Sequence, residues 1–248
     1  MSNMFFILLT RHTQQLCTLA LLGGITGITL LCQSLPAHAR SIDEVMQRYA
    51  PEAEPTLKKQ FSDAGVSYPP QKLALLAFKK ERMLQIWAQG TTRQWQHITQ
   101  YPILAASGGA GPKLRQGDYQ VPEGLYRLQW LNPNSSFHLS MKVDYPNHYD
   151  REHARADGRG NPGGDIFIHG RAVSAGCLAM GDRVIETLFV LVQRTGVHNV
   201  QVIIAPHDFR TLPPPHRQNP DWKYKPAWVH DLYQRIHARL QDFSADGS

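Results

Sequence analysis

Short apolar segments that alternate with turn residues fill the middle of this chain, and they constrain its fold more than any other feature. Six segments have the length and composition of β-strands: 82–88, 95–106, 124–131, 136–143, 164–169 and 199–205. Between the last two, apolar residues recur at helical spacing from Val184 to Val192, with Gly181-Asp182 before them and Gly196 after them. The pattern predicts a mainly β, mixed α+β domain with one central helix.

Helical segments are expected on both sides of this domain. Residues 41–64 have apolar positions at helical spacing, with a break expected at Pro51, and a second helix is predicted over 226–241. The polar, glycine-rich stretch 144–164 is long for a loop, and it is interpreted either as a lid or substrate wall or as surface decoration. We divide the chain into a signal peptide, an N-terminal helical extension with a linker, the central domain, and a Pro-rich segment with a C-terminal helix: 1–39, 40–79, 80–206 and 207–248.

The first 39 residues have the features of a secretory signal. Arg11 is their single charged residue, an apolar run extends from residue 16 to 32, and the small-residue pattern Ala37-His38-Ala39 follows. We expect cleavage after Ala39, export to the periplasm and no stable membrane span in the mature protein. The alternative is an uncleaved anchor helix, for which an apolar run broken by glycines is marginal in length.

Cleavage would leave one cysteine in the exported protein. Cys17 and Cys32 depart with the signal, and the loss of Arg11 lowers the formal net charge from +6 to +5. The remaining Cys177 is a buried bystander, a site of intermolecular pairing or a nucleophile. This charge is spread along the chain without a basic stripe, so nucleic acid is not expected as a partner.

A histidine precedes this cysteine by eight residues. His169 ends an apolar strand, Gly170 lets the chain turn, and a short connection returns it to Gly176-Cys177. An imidazole beside a thiol takes its proton and activates it as a nucleophile. Backbone N–H groups of residues 175–177 are expected to face a developing oxyanion, and Ser174 to orient the turn. Spacing alone also fits a strand-end histidine and an inert buried thiol.

The run Ile168-His169-Gly170…Ser174-Ala175-Gly176-Cys177 resembles the signature of the L,D-transpeptidase catalytic domain (YkuD-type) family. The segments around 111–126 are similar to the family's Pro-x-Gly-x-Tyr/Phe strand entry, and several motifs in order resemble its YafK/DpaA-like branch: Asn132-Pro133-Asn134-Ser135, Asp144-Tyr145-Pro146-Asn147 and Cys177-Leu178-Ala179-Met180. Many members carry Arg or Asn two residues after the cysteine, where this chain has Ala179.

The resemblance implies a β-sandwich or barrel fold and a cysteine enzyme that acts on meso-diaminopimelate in the peptide stems of peptidoglycan. Cys177 would be the nucleophile and His169 the base and then the acid. Turn and oxyanion support would come from Gly170, Ser174, Ala175 and Gly176. Substrate binding would involve Arg171, His138, Tyr145 and His148. The branch implies an amidase that releases lipoprotein bound to peptidoglycan, and the alternative is a transpeptidase that forms 3-3 cross-links or attaches lipoprotein. No cofactor or metal is expected.

The sequence leaves three other interpretations open. A zinc site would use polar side chains of the 144–164 stretch, but their spacing matches no known metal motif: Asp144, His148, Asp150 and His153. A sortase-like enzyme shares Cys and His but requires an Arg partner beyond the cysteine strand. A non-catalytic cell-wall-binding module would use three aromatic residues near the C-terminus: Trp222, Tyr224 and Trp228.

Overall fold

One mixed β-sheet organises the protein, in a computed structural model that describes residues 39–214 and 226–244. Its strands are β1 Lys72–Phe78, β2 Met83–Gln89, β3 Trp95–Pro102, β4 Ala105–Ala106, β5 Gly124–Ser135, β6 His138–Val143, β7 Phe167–His169, β8 Leu178–Ala179 and β9 Val200–Ala205. Their order is β3-β2-β1-β9-β5-β6-β7-β8-β4. The pairs β1–β9 and β7–β8 are parallel, and the other pairs are antiparallel. Most of the predicted signal segment, and Trp222 and Tyr224, lie outside the described residues.

Four α-helices accompany the sheet: α1 Ile42–Asp63, α2 His148–Ala156, α3 Asp182–Thr195 and α4 Trp228–Leu240. The predicted break at Pro51 is wrong, because α1 continues through Pro51 and Pro55 without interruption. A capping box at Ser41 and Glu44 fixes its start. Burial of its apolar face against α3, including Phe61, compensates for the hydrogen bonds that the prolines remove.

The core has two parts because the strands present side chains alternately to the two faces of the sheet. In β1, Leu73 and Leu75 belong to the larger cluster, which includes residues of α1 and α3, while Leu76 and Phe78 belong to a smaller cluster with α4. Both faces of β1 are therefore covered. This explains why all but the first of its residues are buried and why its sequence is continuously apolar.

The mixed α+β class and the central helix α3 are confirmed. The segment predicted as one strand over 95–106 is divided into β3 and β4. The stretch 144–164, interpreted as a loop, contains α2, whose first turn is capped by Asn147 and Asp150. The segment 40–79, predicted as an extension, contributes β1 to the middle of the sheet, and the position of the domain boundary stays a prediction.

Among residues 39–214 and 226–244, no helix is both long enough and apolar enough to cross a membrane.

Candidate active site

His169 is the last residue of β7, the strand that lies between β6 and β8 in the sheet. It lies opposite Ser140 of β6 and Ala179 of β8, and only 2% of its surface is exposed. Its Nδ1 lies 2.6 Å from the carbonyl oxygen of Gly170. Because a carbonyl only accepts, Nδ1 carries the proton and Nε2 keeps its lone pair. Burial lowers the pKa of His169, against the effect of the Gly170 carbonyl, so the imidazole is neutral at pH 7.

Cys177 immediately precedes β8 and is partly buried, with a free thiol. Its Sγ accepts a hydrogen bond from the Phe167 N–H at 3.4 Å and lies 3.6 Å from the Asp165 carbonyl oxygen, to which the thiol donates. Burial raises the pKa of the Cys177 thiol, although the Phe167 N–H and the charges of Lys142 and Lys113 oppose this shift. The resting thiol is therefore protonated at neutral pH.

The parallel register of β7 and β8 brings the thiol and the imidazole to one face of the sheet. Ile168 pairs with Leu178, so Phe167 and Cys177 occupy the preceding position on their strands. Side chains alternate along a strand, and Phe167, His169 and Cys177 therefore share a face. Within the described part of the chain, no hydrogen bond joins Cys177 Sγ to the His169 ring. Catalytic hydrogen bonds often tighten only when substrate binds, so this arrangement is compatible with proton transfer between them.

A hydroxyl pair holds the turn that leads to the cysteine. Ser174 Oγ donates to the Cys177 carbonyl at 2.7 Å and accepts from the Ser107 N–H at 3.1 Å. Ser107 Oγ accepts from the Gly176 N–H at 2.6 Å. The expectation that the Gly176 N–H faces an oxyanion is therefore not met, because this donor is already used. The N–H groups of Ala175 and Cys177 stay the predicted donors.

Two glycines permit the close approaches of this turn. Gly176 has φ of +116°, and a Cβ there would lie 3.4 Å from the Gln120 carbonyl oxygen. A Cβ on Gly170 would lie 2.7 Å from the Phe137 carbonyl oxygen and 2.6 Å from Asp182 Oδ1. Glycine is required at both positions, the first for its backbone conformation and the second for space.

The four predicted substrate-binding residues do not form one group. Arg171 has an exposed side chain, and its N–H donates to Asp182 Oδ1 at 2.7 Å. His138 lies close to Gly170, but its Nε2 is 2.7 Å from Glu186 Oε1 of α3. Tyr145 is buried and donates to the carbonyl oxygens of Lys113 and Pro162. Tyr145 therefore stabilises the loops and has no free surface for substrate.

His148 lies elsewhere, on a large cleft that does not include the thiol. This cleft has a volume of about 1380 Å³ and lies beside β1, β9, α2 and α4. Neither His169 nor Cys177 lines it. Because pocket size does not identify the reacting groups, we place the candidate active site at Cys177 and treat His148 as part of a separate surface.

Two residues of the zinc alternative, Asp150 and His153, have structural roles. Asp150 caps α2 together with Asn147, and burial raises its pKa to about 6. His153 stacks on Trp228 with ring centroids 4.7 Å apart. Among the described residues, no group of three or more His, Cys, Asp or Glu side chains is placed to hold a metal ion. Trp228, one of the aromatics of the wall-binding alternative, thus packs α4 against α2.

Three further residues belong to the site and carry no signal in the motif around Cys177. Ser107 follows β4, whose pairing with β8 brings it opposite Cys177. Phe137 covers His169, with ring centroids 4.6 Å apart. Lys142 of β6 contributes a positive charge near the thiol. Strand pairing places all three, and only the lysine had a local signal, as a lysine within a strand.

Comparisons with known proteins find several similar chains. A stretch of 134 residues is 40% identical to proteins of Escherichia coli K12 and O157:H7, each named "Putative L,D-transpeptidase YafK". The aligned stretch covers 52% of this chain and 52% of each relative. The chain thus spans about half the length of the curated relatives it matches. Two solved structures are similar at lower levels. Pgp2, a helical cell shape determining protein of Campylobacter jejuni, is 20% identical, with 63% of this chain and 56% of Pgp2 covered and a TM-score of 0.46. Bd1075 of Bdellovibrio bacteriovorus is 22% identical, with 71% and 57% covered and a TM-score of 0.42.

The family assignment depends on the sequence match, since both TM-scores are low. Residues 73–206, more than half of the chain, match the L,D-transpeptidase catalytic domain, YkuD. This range runs from β1 to the end of β9 and contains both His169 and Cys177. The chain therefore belongs to the family of L,D-transpeptidase catalytic domains.

Proposed function

We propose that this protein is a cysteine-dependent acyl-transfer enzyme that acts on meso-diaminopimelate in peptidoglycan peptide stems, and that it is an amidase that releases peptidoglycan-bound lipoprotein. Membership of the family supports a peptidoglycan-related transpeptidase or amidase activity. One observation carries the proposal: a free, partly buried thiol shares a face of the sheet with a neutral histidine whose Nε2 has a lone pair.

The first step in this proposal forms a thioester. The Cys177 thiol turns from the Asp165 carbonyl, passes its proton to His169 Nε2, and its sulfur attacks the carbonyl carbon of the stem amide. The imidazolium then returns this proton to the amine, which leaves as the C–N bond breaks. Both groups are neutral at rest, so the proton moves during the attack and no thiolate–imidazolium pair is stored beforehand.

The second step decides between hydrolysis and transpeptidation. Water resolves the thioester to a carboxylic acid in the amidase, whereas an amine forms a new amide in the transpeptidase. Ala179 lies on the same face as Cys177 and is fully buried. The position that carries Arg or Asn in many relatives is thus apolar here, which supports a separate acceptor specificity.

We propose further that the protein acts in the periplasm after cleavage following Ala39. The signal-like pattern of residues 1–39 supports this, and the substrate is a component of the cell wall. Fractionation of cells that produce the full chain, with N-terminal sequencing of the mature product, tests both points. A product that retains residues 1–39 would contradict the cleavage.

The activity is tested with diaminopimelate-type sacculi that carry bound lipoprotein and with free tetrapeptide stems. We expect released lipoprotein in the presence of the wild-type protein and none with Cys177→Ala. New 3-3 cross-links instead would support the transpeptidase. Neither product from folded protein would refute the enzymatic proposal. Retention of every cellular role by Cys177→Ala would favour the wall-binding module.

A further inference from the structure

A row of side chains extends away from Cys177 across four strands of the sheet. Trp130 of β5 pairs with Lys142 of β6, and Lys142 pairs with Phe167 of β7. Phe167 precedes the pair Ile168–Leu178, so Cys177 occupies the next place in the same row. Directly paired residues share a face of the sheet, and strands are spaced about 4.8 Å apart. The row thus leads from the thiol to Trp130 over roughly 14 Å, or three strand spacings.

Lys142 provides the positive charge of this row. Its ammonium group lies 4.5 Å from the centroid of the Phe167 ring, and its Nζ is 2.7 Å from Asp165 Oδ1. The Asp165 carboxylate is 93% exposed, whereas the Lys142 side chain is only 11% exposed. An exposed ion pair contributes little to stability, so an incoming carboxylate can replace Asp165 at small cost.

A second lysine near the thiol is held differently. Lys113 also lowers the pKa of Cys177, but its Nζ pairs with Asp118 and donates to the Arg115 carbonyl, with 5% of its side chain exposed. The Asp118 carboxylate in turn accepts from backbone N–H groups of its own loop. The Lys113 ammonium group is therefore fully paired within its own loop. Lys142, in contrast, is the cation whose partner can be replaced.

The other members of the row provide apolar surface. The Trp130 ring is edge-on to Phe167, with centroids 5.9 Å apart, and Trp130 is 45% exposed. A large aromatic group exposed beside a cation provides stacking area for a ligand together with charge recognition. Such a surface suits a short peptide that carries carboxylates, and it begins at the sulfur that would attack that peptide.

We propose that Lys142, with Phe167 and Trp130 as its apolar floor, binds a carboxylate of the peptide stem that Cys177 attacks. This inference rests on the proposed function, because it identifies the acyl donor of the same site. It makes Lys142 a substrate-binding residue that exchanges Asp165 for a substrate carboxylate. The Phe167 ring packs against the Lys142 ammonium group and holds it in place. Trp130 contacts the part of the stem farther from the reacting amide.

The charge near the thiol is tested first, without any substrate. Iodoacetate and iodoacetamide alkylate the same thiolate, so the ratio of their rates cancels the thiolate fraction and reports attraction of an anion. In the mature chain Cys177 is the single thiol. We expect Lys142→Met to lower this ratio about three- to tenfold, because a unit charge several ångströms away is removed in a partly solvated site. Lys142→Arg keeps the ratio, and Asp165→Asn raises it.

Two controls make this measurement decisive. Lys58→Met removes a lysine that pairs with Glu54 on α1, and it should leave the ratio unchanged. Asp165 has φ of +56°, a conformation that Asn accepts, so Asp165→Asn is expected to fold. If neither Lys142→Met nor Asp165→Asn changes the ratio, Lys142 does not attract anions to the thiol and the proposal is wrong.

Stem recognition is then measured with the Cys177→Ala protein, which binds but does not react. The probe is the tetrapeptide stem, compared with the same peptide in which the carboxylates are amidated. We expect the free acid to bind about tenfold more tightly than the amide, and Lys142→Met to remove this preference. Trp130→Leu should weaken both peptides alike. Equal affinity for acid and amide would overturn the inference even if sacculi are hydrolysed, and inactivity on sacculi would refute the proposed function without affecting these ratios.

Discussion

Lys79 and Glu123 form a buried ion pair whose removal gives the sharpest test of how this fold is stabilised. Lys79 Nζ lies 3.0 Å from Glu123 Oε1, and their side chains are 6% and 0% exposed. The ammonium also donates to the carbonyls of Val121 and Gly111. Glu123 accepts from the Tyr233 hydroxyl at 2.6 Å, so the pair joins β1, the loop before β5, and α4.

Lys79→Met removes one partner and leaves the Glu123 carboxylate buried without its counter-ion. Breaking a buried pair in this way costs about 3–5 kcal/mol of the free energy of unfolding. With a urea dependence of about 2–3 kcal/mol per M, the midpoint of unfolding should fall by about 1–2 M. Tyr233→Phe removes one hydrogen bond to a charged group and should cost about 1.5–3 kcal/mol.

Urea titration followed by circular dichroism measures these changes. The matched control is Lys80→Met, because Lys80 is the next residue and is exposed; we expect a change within about 0.5 kcal/mol. The double variant Lys79→Met with Glu123→Leu should be more stable than Lys79→Met alone, since it leaves no unpaired charge. A loss below about 1 kcal/mol in Lys79→Met would refute this reasoning, because the carboxylate would then be solvated or paired elsewhere.

Three further predictions concern the site and its surroundings. Gly176→Ala forces a side chain into a φ of +116° beside the Gln120 carbonyl. We expect the free energy of unfolding, measured by urea titration, to fall by about 1–3 kcal/mol. We also expect Cys177 to lose its preference between iodoacetate and iodoacetamide, measured by labelling. Burial lowers the pKa of the His169 base, so activity on stems should rise with pH on the acidic side of neutrality; a rising limb near pH 8 would contradict this. Burial raises the folded-state pKa of Asp150 to about 6, so its contribution should stabilise the fold as pH falls from 6 toward 4, and Asp150→Asn should remove this part of the pH dependence of unfolding.

Local patterns in the sequence predicted elements whose signals are short-range. The apolar period between Val184 and Val192 and the glycines on each side predicted α3, which spans Asp182–Thr195. The stretch 144–164 was interpreted as a loop because it is polar and rich in glycine, so α2, which Asn147 and Asp150 cap, was not predicted. Prolines suggested a break in α1 because their effect on a helix is local, whereas the burial that maintains the helix comes from α3.

The site shows the same division between local and distant signals. The motif around His169 and Cys177 predicted that both residues belong to one site, because the turn that joins them is local. Ser107, Phe137 and Lys142 contact or influence these residues only through strand pairing, and register cannot be deduced from one sequence. Tyr145 was expected to bind substrate because it lies in a motif of the family resemblance, but the fold buries it against the loops around Lys113 and Pro162.

The parallel pairing of β1 with β9 has a consequence for how the protein reaches its native state. Leu73 lies opposite Val200, so the centre of the sheet joins the two ends of the matched domain. A chain synthesised from its N-terminus cannot complete this centre until nearly the whole domain has been made, and contacts so distant in sequence form slowly. The edge of β1 that faces away from β2 therefore stays unpaired until β9 is in place.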